Sequence, residues 1–145
     1  MRWTLCLLTL SLLGAFVVGC GGGSKTGAVS GRVTYKDKPV PSANVSFTPV
    51  EGTGRAATGL TDSDGRYKLG TFSASDGAPP GKYRIHITAY GPSRPPKPGE
   101  TGSGMPGEMM TGDPIIPKKY FQPDTSGLTY EVKRGSNTAN FDLKD

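Results

Sequence analysis

The sequence predicts an all-β fold, a seven-stranded antiparallel β-sandwich, and three observations carry that prediction. From residue 28 onward, apolar and polar side chains alternate with period two, the spacing of strands buried on one face. No stretch repeats apolar residues at the three-to-four spacing of an amphipathic helix. Turn formers are abundant: 22 glycines and 13 prolines make up about a quarter of the 145 residues, without the three-residue period of collagen.

Each strand follows from its local pattern. Val29, Gly31, Val33 and Tyr35 alternate with Ser30, Arg32 and Thr34, a half-buried first strand. "KDKPVPSA" turns the chain into a second, with Ala43, Val45 and Phe47 inward. "AATGLT" is a weaker third strand. "DSDG" then supplies a tight turn in which Gly65 can take positive φ without steric cost. Arg66 to Leu69 reads as the return strand of that hairpin, with Tyr67 and Leu69 inward. Lys82 to Tyr90 is the clearest strand, with Tyr83, Ile85, Ile87 and Ala89 on one face. Leu128, Tyr130 and Val132 mark the sixth strand. "RGSN" turns the chain, and Ala139, Phe141 and Leu143 complete a closing hairpin. The domain therefore spans residues 28–145, interrupted by a Pro/Gly-rich insertion at about 91–127. The first two-thirds of that insertion has the low complexity of a mobile loop. "DPIIPKKYF" is apolar enough to pack back on the sandwich edge.

The N-terminus has a different character. Leu5 to Val18 is apolar apart from Thr9 and Ser11, too short to span about 30 Å of hydrocarbon but right for a signal-peptide core. It ends Val17-Val18-Gly19-Cys20, which resembles the bacterial lipobox. The resemblance implies that residues 1–19 are a lipoprotein signal peptide and that the Cys20 thiol is acylated, so that residues 20–27 tether the domain to a membrane. Several acyl chains would make that anchor durable. Gly21, in place of an inner-membrane retention aspartate, leans toward the outer membrane, although the cell membrane stays open. Only Cys6 and Cys20 are cysteines, so the mature domain would hold no thiol for a disulfide, zinc site or nucleophile.

The strings "VSGRVTYKDKPVPSANVSFTP", "TDSDGRYKL" and "GAPPGKYRIHI" resemble the carboxypeptidase regulatory-like, transthyretin-like domain family, as found in short lipoproteins of planctomycete-type bacteria. The matching positions run from 28 to 90. They include Gly31, Lys38-Pro39-Val40, Thr61 to Tyr67 and Pro80 to Tyr83. The resemblance implies a transthyretin-like (prealbumin-like) sandwich that is mostly non-catalytic and serves folding, adhesion or glycan binding. One related enzyme, 5-hydroxyisourate hydrolase, ends in Tyr-Arg-Gly-Ser. Here "KRGS" at 133–136 has Lys133 for the tyrosine, nine further residues follow it, and no histidine stands early in the domain.

The residues offer little independent chemistry. His86 is the single histidine and lies on the polar face of its strand, a surface position. Asp62 and Asp64, with Asp76 as a possible third ligand, are weak metal candidates, and turn formation explains both Asp62 and Asp64 better. Met105, Met109 and Met110 lack the histidine or cysteine partners of a copper site. The 17 Lys and Arg against 12 Asp and Glu give a net charge of +5. These cations are scattered and read as a solvated basic surface, which argues against nucleic acid as partner. No cofactor is implied. The sequence therefore predicts a lipid-anchored, non-enzymatic binding or structural module of the cell envelope, facing the periplasm or the cell surface. Its partner would be an envelope protein or a polysaccharide. The second reading is a carbohydrate-binding module with Tyr90, Tyr120 and Phe121 as stacking contacts. A transthyretin-like hydrolase is the weakest of the three.

Overall fold

A computed structural model of the chain describes residues 26–51, 54–100 and 112–145. The signal segment, Cys20, tether residues 21–25 and the three methionines of the insertion lie outside these residues. Nine strands form among them: β1 (Ala28–Tyr35), β2 (Lys38–Pro39), β3 (Asn44–Pro49), β4 (Ala57–Leu60), β5 (Arg66–Lys68), β6 (Gly81–Thr88), β7 (Leu128–Val132), β8 (Ser136–Thr138) and β9 (Phe141–Leu143). A single 3-10 turn spans Lys118–Phe121. The two strands beyond the predicted seven are the short β2 and β8. The strands form a five-stranded and a four-stranded sheet, and their inner faces make the core of a β-sandwich.

β1 runs through the middle of the larger sheet, antiparallel to β2 and β5 and parallel to β8 and β9. Ser30 pairs at once with Lys68 of β5 and Thr138 of β8. The smaller sheet has the order β4-β3-β6-β7 and is antiparallel throughout. The sandwich is thus not wholly antiparallel, and both predicted hairpins are corrected. β4 and β5 belong to different sheets, and the segment after β5 bridges back to β4 at Thr58–Gly70. β7 and β9 are likewise divided between the sheets.

Side chains at the two corners make those crossings. At the first, the Asp62 carboxylate accepts the amides of Asp64 and Arg66, both at 2.9 Å. Gly65 turns with φ of +73°, and its carbonyl accepts the Val33 amide of β1 at 2.8 Å. At the second, Asn137 accepts the Lys133 amide at 2.9 Å and donates to the carbonyls of Lys133, Gly135 and Ala28. That last bond draws the chain across to β1.

The step from β8 to β9 needs a glycine. Ala139 donates its amide to Ser30 and turns its carbonyl over Gly31. A Cβ at Gly31 would lie 1.7 Å from that oxygen. The Tyr67 hydroxyl donates to the same carbonyl at 2.6 Å, and the Asn140 side chain accepts the Arg32 amide between the Ser30–Thr138 and Val33–Phe141 pairings. Burial raises the Tyr67 phenol above its ordinary pKa, which keeps it a donor.

The core joins the sheets through aromatic rings. Phe47 of β3 contacts Tyr83, Tyr130 and Phe141 with centroids at 5.8, 6.0 and 6.1 Å, and Phe141 stacks on Tyr67 at 6.4 Å. Such tilted and offset pairs add to the energy of area burial. β7 pairs with β6 only from Gly81 to Ile85. The segment 112–127 covers the remaining edge: Ile115 donates to the Ala89 carbonyl, and Ser126 bonds the carbonyl of Ile85. "DPIIPKKYF" packs back on the sandwich edge as expected, and beyond that expectation Ile116 and Tyr120 enter the core.

Candidate functional site

The structure separates the three aromatic residues singled out from sequence. Tyr120 is buried at 6% exposure, and its hydroxyl both donates to the Lys144 carbonyl and accepts the Lys144 amide. Its ring is core and its hydroxyl ties the 3-10 turn to the C-terminus, so it offers no stacking face. Tyr90 and Phe121 are brought together, with rings 5.3 Å apart and tilted by 60°. Tyr90 is 40% exposed, while Phe121 packs partly against the core. Ile115 is also exposed nearby, donating its amide to Ala89 next to Tyr90. This edge presents one open ring supported by a second.

His86 is not a freely solvated residue. It lies half-buried in the middle of β6 opposite Ser46, and its Nδ1 is shielded from solvent without a hydrogen-bond partner. Desolvation pushes its pKa below the ordinary 6.5, because burial penalises the charged ring. Asp62 spends a carboxylate oxygen on its own turn. Among the described residues, no group of three His, Cys, Asp or Glu side chains is placed to hold a metal ion.

The start of the insertion is organised by charge rather than loosely looped. Arg94 binds Glu100 through two bonds of 2.7 and 2.9 Å and also reaches Asp113 at 3.2 Å. Lys97 donates its amide to Glu100 at 2.9 Å. The Arg94 guanidinium, with the Lys97 amide, holds the Glu100 carboxyl down at about 2. Gly91 donates its amide to the Asp113 carbonyl at 2.8 Å, so the chain at 113 returns to where the insertion begins.

A separate concave surface lies beside β4 and β5. A trough of about 570 Å³ is lined there by Arg32, Leu60, Arg66, Lys68 and Asn140 among others. Through Leu60 and Lys68 it adjoins a second hollow of about 500 Å³. Sequence reasoning missed this site because its cations come from strands separated by some thirty residues. The available signal was their alternation on the outward positions of two strands, Ser30/Arg32 and Arg66/Lys68, but only the β1–β5 register places them together.

No protein-family model matches the chain, and no curated protein matches it. Two solved structures resemble it loosely. One is a 9R-lipoxygenase from Cyanothece PCC8801, with TM-score 0.38 and 11% identity over 83% of this chain and 16% of that one. The other is the dioxygenase domain of a dioxygenase carbohydrate-binding protein fusion from Streptomyces sp. SirexAA-E, with TM-score 0.34 and 20% identity over 83% and 82%. The chain spans about a sixth of the lipoxygenase's length.

Proposed function

We propose that this protein is a lipid-anchored, non-catalytic binding or structural module of the bacterial cell envelope. The observation that carries this reading is the relation between Cys20 and the folded body. The lipobox-like Val17-Val18-Gly19-Cys20 ends six residues before Thr26, where the domain is already gripped. Gly27 exchanges two backbone bonds with Ala78, of 2.7 and 3.0 Å, and the next residue opens β1, the strand paired on both sides. A pull through a tether at this point loads several ladders in shear, which suits a domain held by its N-terminus. The exposed Tyr90 ring supports a second reading, a carbohydrate-binding module that stacks a sugar there.

Fractionation of cells expressing the full chain tests the anchor. The parent should incorporate labelled palmitate and sediment with membranes, and Cys20→Ala should do neither. Membrane attachment by the variant would defeat the proposal. For the second reading, Tyr90→Ala should abolish retention on a neutral polysaccharide without lowering the melting temperature; unchanged retention would remove it.

A further inference from the structure

We propose that the trough between β4 and β5 binds an acidic polysaccharide, with Arg32, Arg66 and Lys68 as its anion-binding residues. This rests on the binding-module reading above, but not on the anchor.

Arg32 and Arg66 stand directly opposite each other in the β1–β5 ladder, and Lys68 is opposite Ser30 on the same outward face. Directly paired side chains in a sheet lie about 5 Å apart at Cβ, where like charges repel and destabilise the pair. The ion pairs formed among the described residues use Lys36, Arg84, Arg94, Lys97 and Lys144. None involves Arg32, Arg66 or Lys68. Arg32 donates its Nε to the Asp64 main-chain carbonyl at 2.9 Å, which orients the guanidinium and leaves its two terminal nitrogens for another acceptor. The one carboxylate lining the trough, Asp62, already accepts two backbone amides. Three exposed cations thus face one carboxylate already engaged in a turn.

The rest of the lining selects among anions. Leu60 is 65% exposed and gives an apolar floor at the junction of the two hollows. Asn140 lines one side, and Thr58, Thr71 and Ser75 line the continuation. Hydroxyl and amide groups beside an apolar patch suit a sugar chain with one polar and one apolar face. Guanidinium groups hold carboxylate or sulfate substituents through paired N–H donors. The concave surface runs from Arg32 and Arg66 past Leu60 to Thr71 and Ser75, a course along which an extended polymer could lie.

The test measures retention of the purified full-length protein on immobilised polygalacturonate, with neutral dextran and anionic phospholipid vesicles in parallel. The parent should bind polygalacturonate, increasingly weakly as salt rises, and ignore dextran. Arg66→Gln with Lys68→Gln, both on an exposed face, should weaken binding at least about tenfold. Lys118→Gln with Lys119→Gln removes the same net charge elsewhere and should leave binding within about threefold. Cys20→Ala should bind as the parent does, so a failed anchor and a failed trough are read separately. Equal loss in both double variants would reduce the effect to net charge and overturn the site. Undiminished binding by the trough variant, no binding by the parent, or preference for vesicles would overturn it as well.

Discussion

Thr61 provides the sharpest test of how the two sheets are held in register. It follows β4 at the corner between the sheets and is 4% exposed. Its hydroxyl donates to the Val40 carbonyl and accepts the Ala43 amide, both at 2.7 Å. Its own amide and carbonyl bond Ala43 and Ser42, so one residue fastens the whole turn between β2 and β3. Valine has nearly the same shape without the hydroxyl. Thr61→Val would therefore leave one buried carbonyl and one buried amide unpartnered, at about 1–3 kcal/mol each. Allowing some relaxation, the loss should reach about 3 kcal/mol, a large part of the 5–15 kcal/mol on the order of which a domain is stable. With a urea slope of about 1.5 kcal/mol per molar, the unfolding midpoint should fall by about 2 M. Thr61→Ser keeps both bonds and gives up one methyl, worth about 1 kcal/mol. The expected order is parent, serine, valine. A valine variant at least as stable as the serine one would refute the reasoning.

Three further outcomes follow from the same structure. Gly31→Ala drives a Cβ into the Ala139 carbonyl at 1.7 Å and should cost at least about 3 kcal/mol, the upper range of overpacking. Its melting temperature should drop by roughly 10 °C, and an unchanged value would show that the Ala139 backbone yields freely. His86 has a folded pKa below 6.5, so the unfolded chain binds its proton first as pH falls through that value and stability declines. The urea midpoint should therefore fall between pH 7.5 and 5.5 more in the parent than in His86→Gln; equal losses would place the ring in water. Arg94→Ala should return the Glu100 carboxyl from about 2 toward its ordinary 4.5, read by NMR titration. The clasp's contribution is present above pH 4.5 and is lost as pH falls toward 2, and a titration unmoved by the substitution would mean that Arg94 does not hold Glu100.

The period-two pattern placed the inward residues well. Val29, Val33, Val45, Phe47, Tyr67, Leu69, Tyr83, Ile85, Ile87, Phe141 and Leu143 are all buried, because which face a side chain takes is a local property of the strand. Pairing is not local. "DSDG" and "RGSN" reverse the chain as turn chemistry requires, but a turn does not specify which sheet receives the next strand. That choice is made by Gly65 against Val33 and by Asn137 against Ala28, the latter 109 residues away in sequence. The same limit applies to the sites. Tyr120 reads as an aromatic in a loop, and only the C-terminal backbone beside it turns it into core. Arg32 and Arg66 read as separate surface charges until the ladder sets them face to face.

The parallel pairing of β1 with β9 has a consequence in time. Val33 and Phe141 are neighbours in the ladder, as are Thr34 and Asp142, so β1 waits for a segment made more than a hundred residues later before its second edge is filled. Contacts of such long sequence separation make folding slow, on the order of milliseconds to seconds for sandwiches of this kind. Until then β1 exposes one unsatisfied edge, open to any passing strand. A chain lacking residues 141–143 would lose β9 and keep that edge bare. Loss of β9 should therefore be read out first as aggregation of newly made protein, before any loss of binding.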